Sequence, residues 1–280
     1  MSRPTFFGGH DGLLCDLDGV VYAGAGPLPG AVEALAELRR RGVPVGFVTN
    51  NASRPPGRVA AHLQELGVQA DPGEVFGSAP AGAALLEETL QDRLGRSTGR
   101  VLVVGSAYLR GLVEQRGHTV VSSAAERPDA VLQGFDPGIG WSELAEAAYA
   151  VNAGAAWVAT NLDLSIPRAE GVAPGNGALV AAVGHATGTA PVAAGKPEPQ
   201  LFRLAARELG LARPLMVGDR LDTDIRGANA AGIETALVLT GVDTRESAGR
   251  APAADRPAWI VPDLTALLTD APAREDDSRG

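Results

Sequence analysis

The sequence predicts an α/β protein with a Rossmann-like parallel-sheet core and an inserted α/β cap domain. Short apolar runs alternate with segments that carry apolar residues at helical spacing, which is typical of βαβ units. This alternation breaks near residue 77, a second alternating block follows, and the first pattern resumes near residue 192. We therefore expect a discontinuous core of residues 1–77 and 192–280, with a cap of residues 78–191 inserted into it.

The elements of the core follow from two kinds of pattern. Residues 12–15 and 43–49 are almost continuous apolar runs, which are typical of strands buried on both faces of a parallel sheet. Residues 30–41 and 55–66 have the apolar spacing of amphipathic helices. After the insertion, the same patterns predict helices over 200–209 and 223–231 and strands over 215–217 and 235–239.

The inserted block repeats this alternation of strand and helix. The pattern predicts strands over 101–104, 130–133 and 157–160, and helices over 108–116, 141–153 and 177–187. Strands that alternate with helices favour a second parallel sheet.

The composition excludes several classes of partner. The chain has 280 residues and a formal net charge of -9 at pH 7, which argues against nucleic acid or an anionic membrane surface. No apolar run is long enough to span a membrane, and the first residues lack an apolar signal segment. Cys15 is the only cysteine, so we expect a cytoplasmic protein without a disulfide or a cysteine-based zinc site.

Two aspartates follow the first predicted strand directly. Asp16 and Asp18 come at its carboxyl end, where open α/β sheets bind ligands. Two carboxylates in one place repel each other, and a divalent cation would compensate their charge. Asp18-Gly19 is equally typical of an ordinary turn, so this segment alone leaves both interpretations open.

Polar residues also follow the second predicted strand. The side chains and amides of Thr49, Asn50 and Asn51 can donate hydrogen bonds to phosphoryl oxygens. The alternative is a helix N-cap, because the same residue types favour that position. Asn176 lies in a Gly-rich segment that is either a turn into a helix or a loop that faces a substrate.

Lys196 and three further aspartates complete the candidate site. Of the 24 basic residues, Lys196 is the only lysine, and its compact ammonium suits an anion beside carboxylates. Asp219, Asp222 and Asp224 follow the predicted strand 215–217 and can bind Mg²⁺ or orient its waters. The alternatives are a solvated lysine and the acidic first turn of a helix. Because four distant segments all lie at carboxyl ends of predicted parallel strands, we favour one catalytic site.

These four segments resemble the four motifs of the haloacid dehalogenase-like phosphatase superfamily. The pair Asp16 and Asp18 looks like the phosphatase form of the first motif. The insertion resembles the α/β cap of the NagD and 4-nitrophenyl phosphatase subfamily, on Ala159-Thr160-Asn161-Leu162-Asp163 and Pro174-Gly175-Asn176-Gly177. Within that subfamily, strings such as Thr49-Asn50-Asn51-Ala52-Ser53-Arg54 look like the bacterial glycerol-3-phosphate phosphatases.

The resemblance implies a Mg²⁺-dependent phosphomonoesterase that acts on a small phosphorylated metabolite. Glycerol 3-phosphate is the favoured substrate, and phosphoglycolate, sugar phosphates and nucleotides are alternatives, with 4-nitrophenyl phosphate as an artificial substrate. Asp16 would form an aspartyl-phosphate, Asp18 would act as general acid and base, and Lys196 would neutralise a phosphoryl oxygen.

The remaining site residues receive supporting roles from the same resemblance. Asp16, Asp219 and the backbone carbonyl of Asp18 would bind Mg²⁺, and Asp222 and Asp224 would orient its waters. The substrate would be bound by Thr49, Asn50, Asn51 and Asn176. The cap would select the substrate, and we hypothesise a homodimer through it. Two other functions stay open, a non-catalytic phosphometabolite-binding regulator and a phosphotransferase that passes phosphate from Asp16 to a second substrate.

Overall fold

The structure, a computed structural model, describes residues 5–7, 9–168 and 171–269. The chain divides into two compact units. The first unit comprises Met1–Thr49, Pro56–Phe76 and Lys196–Gly280, and the second unit comprises Asn50–Pro55 and Gly77–Gly195.

The strands and helices occur in the following order along the chain. The strands are β1 (Gly12–Cys15), β2 (Tyr22–Ala23), β3 (Gly26–Pro27), β4 (Val45–Thr49), β5 (Val75–Gly77), β6 (Arg100–Val104), β7 (Thr119–Val121), β8 (Ala130–Gln133), β9 (Ala156–Ala159), β10 (Ser165–Arg168), β11 (Gly171–Pro174), β12 (Val192–Ala193), β13 (Pro214–Gly218), β14 (Glu234–Val238) and β15 (Trp259–Val261). The helices are α1 (Ala31–Arg40), α2 (Pro56–Glu65), α3 (Ser78–Leu94), α4 (Ala107–Gln115), α5 (Trp141–Asn152), α6 (Asn176–Thr187), α7 (Gln200–Glu208), α8 (Arg226–Ala230) and α9 (Arg245–Arg250).

The first unit is built on a six-stranded sheet in the order β15-β14-β13-β1-β4-β5. The pairings from β15 to β4 are all parallel. Strand β1 lies inside this sheet, with Leu13 opposite Leu215 on one side and Val45 on the other. All four residues of β1 are buried, as expected of a strand covered on both faces. The carboxyl ends of β1, β4 and β13 therefore meet at one edge.

The second unit contains its own five-stranded parallel sheet, in the order β12-β9-β8-β6-β7. Successive side chains of β6 point to opposite faces. Val101 and Val103 join a core cluster with side chains of α3 and α4. Leu102 and Val104 join a separate cluster with side chains of α5 and α6. Helices thus cover both faces of this sheet, and the two parallel sheets confirm the predicted fold class.

Some predicted elements differ from the structure. The single helix predicted over 223–231 is instead a π-helical turn, Leu221–Ile225, followed by the short helix α8. Helix α3, the longest of those described, was absent from the prediction, as was the antiparallel pair β10–β11. Within the described residues, no helix is long and apolar enough to cross a membrane.

Candidate active site

Asp16 is held at the carboxyl end of β1 by the neighbouring strand. Its backbone amide donates to the carbonyl of Val217 at 2.9 Å, which continues the parallel ladder between β1 and β13 by one residue. The Asp16 side chain is buried. The sheet therefore presents one carboxylate at its centre, at the edge where parallel sheets bind ligands.

Lys196 bridges this carboxylate to a second one. Its Nζ atom lies 2.6 Å from Oδ1 of Asp16 and 2.6 Å from Oδ1 of Asp224. Lys196 is only 5% exposed and Asp224 is fully buried. Burial alone would lower the pKa of the lysine, but Asp16 and Asp224 outweigh it and hold the pKa above its ordinary range. Lys196 is therefore a buried cation, and the solvated-lysine alternative is wrong.

Asp219 brings a third carboxylate to the same place. One oxygen from each of Asp16, Asp219 and Asp224 lies within 4.8 Å of the others. Burial and the charge of Asp224 raise the pKa of Asp219 to about 6. Burial and the charge of Asp16 likewise raise the pKa of Asp224 to about 6. Because three carboxylates face one ammonium, the cluster carries an excess of negative charge that favours a further cation.

The carboxylate of Asp219 shows where that cation would fit. Its Oδ2 atom accepts a hydrogen bond from the amide of Val242 at 2.8 Å. Its Oδ1 atom is buried and has no hydrogen-bond partner among the described residues. A buried carboxylate oxygen without a donor is costly, and a cation would supply the missing partner. Hard oxygen ligands of this kind suit Mg²⁺, so the residues fit the predicted metal.

Glycines allow the chain to pass close to the Asp219 carboxylate. Gly19 has a φ of +79°, a conformation that other residues rarely adopt. A Cβ atom on Gly19 or on Gly241 would collide with the Asp219 side chain. The segment that carries Asp18 therefore packs directly against the carboxylate group of Asp219.

Asp18 occupies a different environment from Asp16. Its side chain is exposed, and its Oδ2 atom accepts a long hydrogen bond of 3.5 Å from the Tyr22 hydroxyl. A single β-bridge joins the two residues. An exposed carboxylate two residues from a buried one can exchange protons with a bound molecule and with water.

The other predicted site residues divide between the two units. Thr49 ends β4, next to β1 in the sheet, and is buried. Asn50, Asn51 and Asn176 belong to the second unit. The Asn51 Oδ1 atom accepts bonds from the amides of Ser53 and Arg54, both at 3.0 Å, so this oxygen stabilises a turn.

Asp222 and Asn176 each have a hydrogen-bond partner within their own unit. Asp222 is exposed, and the Arg220 guanidinium donates two bonds to its carboxylate, at 3.0 and 2.9 Å. Asn176 is buried in the second unit, where its Nδ2 atom donates to the carbonyl of Asn161 at 2.7 Å. Within the first unit, the structure thus brings together Asp16, Lys196, Asp219 and Asp224, and it pairs Asp222 with Arg220.

Comparison with known proteins gives the family. A family model described as haloacid dehalogenase-like hydrolase matches residues 13–119, and a second, HAD-hydrolase-like, matches residues 193–267. The chain is 48% identical over 261 residues to the D-glycerol 3-phosphate phosphatase of Mycobacterium tuberculosis, covering 93% of this chain and 72% of the relative. The chain belongs to the haloacid dehalogenase-like hydrolase family.

Other members of the family resemble this haloacid dehalogenase-like hydrolase over most of its length. A 5'-nucleotidase of Bacillus subtilis is 38% identical over 85% of this chain and 90% of its own length. The glycerol phosphate phosphatase of M. tuberculosis in complex with magnesium superposes with a TM-score of 0.87 at 46% identity, covering 95% of this chain and 78% of that one. The 4-nitrophenylphosphatase of Thermotoga maritima gives a TM-score of 0.81 at 32% identity, covering 92% and 96%.

These comparisons confirm the predicted superfamily and class of enzyme, a hydrolase of phosphoric monoesters. Asn161 and Asp163 belong to the segment that resembles a cap motif, and no role was predicted for either residue. Both bond to Asn50 in this hydrolase. The available signal was their place after a predicted strand, which is the same signal that identified Asp16 and Thr49.

Proposed function

We propose that this hydrolase is a Mg²⁺-dependent phosphatase whose nucleophile is Asp16 and whose substrate is glycerol 3-phosphate. The buried cluster of Lys196 with Asp16, Asp219 and Asp224 carries the proposal for the chemistry. The glycerol 3-phosphate phosphatase relative, with 48% identity, supports the choice of substrate.

Asp16 and Asp18 divide the reaction between them. A carboxylate oxygen of Asp16 attacks phosphorus in line and forms an aspartyl-phosphate, while the bond from phosphorus to the alcohol oxygen breaks. Asp18 donates its proton to that leaving oxygen and becomes a carboxylate. It then takes a proton from water, whose oxygen attacks the aspartyl-phosphate and releases phosphate and free Asp16. The exposure of Asp18 suits both proton transfers.

Positive charge and hydrogen-bond donors stabilise the phosphoryl group during both steps. Lys196 keeps Asp16 ionised and neutralises a phosphoryl oxygen. The hydroxyl of Thr49 and the amide of Asn50 donate to other phosphoryl oxygens. Asp16, Asp219 and the carbonyl of Asp18 would hold Mg²⁺, which supplies charge that reduces repulsion between the carboxylate and the dianionic substrate. Asp224 supports the site through Lys196.

The proposal does not include all the predicted contacts. Asp222 is paired with Arg220, and Asn176 is buried against Asn161, so we leave both out of the proposed substrate and metal contacts.

We propose that the cap, residues 78–191, selects the substrate, because this segment resembles the caps of the subfamily. The cytoplasm is the proposed location, because a single cysteine is typical of reducing compartments.

A panel of phosphate esters tests the proposed reaction and substrate. Phosphate release is measured from glycerol 3-phosphate, phosphoglycolate, sugar phosphates, nucleotides and 4-nitrophenyl phosphate, with Mg²⁺ and with a chelator. We expect the highest kcat/KM for glycerol 3-phosphate and no turnover with the chelator. Asp16→Asn is the matched control, since it keeps the side-chain shape and removes the nucleophile. Release without any added acceptor also separates hydrolysis from phosphotransfer, and turnover by Asp16→Asn would contradict the nucleophile assignment.

We also propose a homodimer through the cap. Trp141 and Tyr149 lie on one side of α5, two helical turns apart, and are 78% and 54% exposed. Large aromatic side chains this exposed are typical of interfaces. Light scattering should give twice the monomer mass for the wild type and the monomer mass for a Trp141→Glu, Tyr149→Glu double variant. A monomeric wild type at micromolar concentration would contradict the proposal.

A further inference from the structure

A buried polar cluster in the second unit holds Asn50 by both its main chain and its side chain. The hydroxyl of Ser78 donates to the Asn50 carbonyl at 2.7 Å, and Nδ2 of Asn161 donates to the same oxygen at 2.9 Å. The Asn50 side chain donates in turn, from Nδ2 to Oδ1 of Asp163 at 2.9 Å. These three bonds restrict both the position and the rotation of Asn50.

The residues that hold Asn50 are themselves held. The Asn161 Oδ1 atom accepts from the amide of Asp163 at 3.2 Å, and the Asn161 carbonyl accepts from Nδ2 of Asn176 at 2.7 Å. Ser78, Asn161 and Asn176 are all buried. A buried polar group without a hydrogen-bond partner destabilises the folded state. This network therefore favours a single arrangement of these side chains.

Two glycines bring the start of α6 against the segment that carries Asn161 and Asp163. A Cβ atom on Gly175 would collide with the Asp163 carbonyl, and one on Gly177 would collide with the Leu162 carbonyl. The amide of Gly177 also donates to the Asp163 carbonyl at 2.8 Å. Close backbone packing of this kind requires glycine, and together with this bond it stabilises the segment that contacts Asn50.

We propose that Ser78, Asn161 and Asp163 are positioning residues for phosphoryl binding by Asn50, an inference that rests on the proposed function. Asn50 follows Thr49 directly, and consecutive Cα atoms are a fixed distance of about 3.8 Å apart. A misplacement of about 1 Å at a binding group can reduce a rate by roughly 100-fold. Ser78, Asn161 and Asp163 act through Asn50, and Asn176 supports Asn161 in place of its predicted contact with substrate.

The test compares two substitutions of Asp163. Asp163→Ala removes the acceptor of the Asn50 side chain, whereas Asp163→Asn keeps an oxygen in the same position. We measure KM and kcat for 4-nitrophenyl phosphate and the inhibition constant of inorganic phosphate. For Asp163→Ala we expect KM and the inhibition constant to rise about 10-fold, the effect of one lost hydrogen bond to a positioned group. For Asp163→Asn we expect values within about threefold of the wild type.

Two further variants provide a control and a second test of the proposed positioning of Asn50. Asp92→Ala removes an exposed carboxylate from α3 of the same unit and should leave all three constants unchanged. Ser78→Ala removes one bond with little change in volume and should raise the inhibition constant about fivefold, which provides a second test if Asp163→Ala does not fold. A lower thermal midpoint with unchanged KM and inhibition constant would overturn the proposal. A wild type that hydrolyses no ester would instead refute the proposed function.

Discussion

Lys196 shows how far one residue type can predict a site. Because Lys196 is the only lysine in the sequence, it was predicted to bind an anion beside carboxylates. The structure gives the physical reason for an ammonium at this position. Two carboxylate oxygens lie 2.6 Å from one Nζ atom in a buried space. A compact cation can contact both oxygens there, whereas the planar guanidinium of arginine is larger and places its donors differently.

Lys196→Arg should therefore be a poor enzyme although it conserves the charge. We expect kcat to fall about 100-fold or more, the size of effect seen when one preorganised electrostatic contact in an active site is lost. Steady-state phosphate release measures the change, and circular dichroism checks that the variant is folded. Wild-type activity in this variant would mean that the geometry of the cation is unimportant.

Because the pKa values of Asp219 and Asp224 are raised, the stability of the metal-free protein should depend on pH. The pKa of Asp219 is raised to about 6, so the folded state holds this proton more tightly than the unfolded chain. The contribution of this proton to the free energy of unfolding is fully present below pH ~4, the ordinary pKa range of aspartate. It is lost as the pH rises through about 6. Near neutral pH the charged carboxylate is therefore a cost to the folded state.

Asp219→Asn should remove this cost. With a chelator at pH 7.5, we expect its free energy of unfolding to exceed that of the wild type by up to about 3 kcal/mol, which corresponds to the pKa shift. The difference should disappear near pH 4, and the variant should be inactive. Asp222→Asn is the control, because Arg220 lowers the pKa of the exposed Asp222 and no gain is expected. Urea unfolding across this pH range is the measurement, and a destabilised Asp219→Asn at pH 7.5 would contradict the assigned sign.

At the scale of elements, the sequence predicted the strands of the site better than its helices. The bounds of β1 were predicted to the residue, because a continuous apolar run ends at the charged Asp16. Helix α3 was not predicted because its alanine and glycine residues weaken the apolar periodicity. Pro80 also lies in its first turn, where proline is tolerated. The π-helical turn after β13 depends on tertiary bonds, including that from the amide of Leu221 to Asp243, which no local pattern shows.

The sequence also predicted which strand ends carry the clustered carboxylates, but not how closely the side chains of the cluster pack. Asp224 was expected to orient the waters of the metal, and the structure shows that it also contacts Lys196 directly, beside Asp16 and Asp219. That contact is possible because β13 ends in Gly218, where a Cβ atom would collide with the Asp224 side chain. A glycine at the end of a strand is common, and its role became visible only with the partner in place.

Gly218→Ala should therefore disturb the site from the end of a strand. The added methyl group must displace Asp224 from Lys196, and we expect a loss of about 1 to 3 kcal/mol in stability, typical of overpacking, together with reduced kcat. Gly111→Ala in α4 is the control, since no atom lies within 4 Å of its added Cβ. That variant should gain about 0.5 to 1 kcal/mol from helix propensity. Urea midpoints and phosphate release would distinguish the two, and equal effects would contradict the packing argument.

At the scale of the whole molecule, the alternation of strand and helix was sufficient to predict two parallel sheets in one chain. The sequence could not show how Asn50 is held, because its partners lie far away in sequence, at Ser78, Asn161 and Asp163. The three carboxylates of the cluster, in contrast, all belong to the first unit. A cation that binds them acts on the folding equilibrium of that unit.

Mg²⁺ should stabilise the folded protein through these carboxylates. A ligand that binds only the folded state adds about 2.7 kcal/mol at a concentration of 100 times its Kd. Bound Mg²⁺ also compensates the charge of the buried Asp219 carboxylate. The increase in the free energy of unfolding should therefore be greatest above pH ~6, where the carboxylates are ionised. Calorimetry with Mg²⁺, and with NaCl at equal ionic strength, separates specific binding from screening. Asp219→Asn should lose most of the Mg²⁺-dependent shift, whereas an equal shift in this variant would place the cation elsewhere in the molecule.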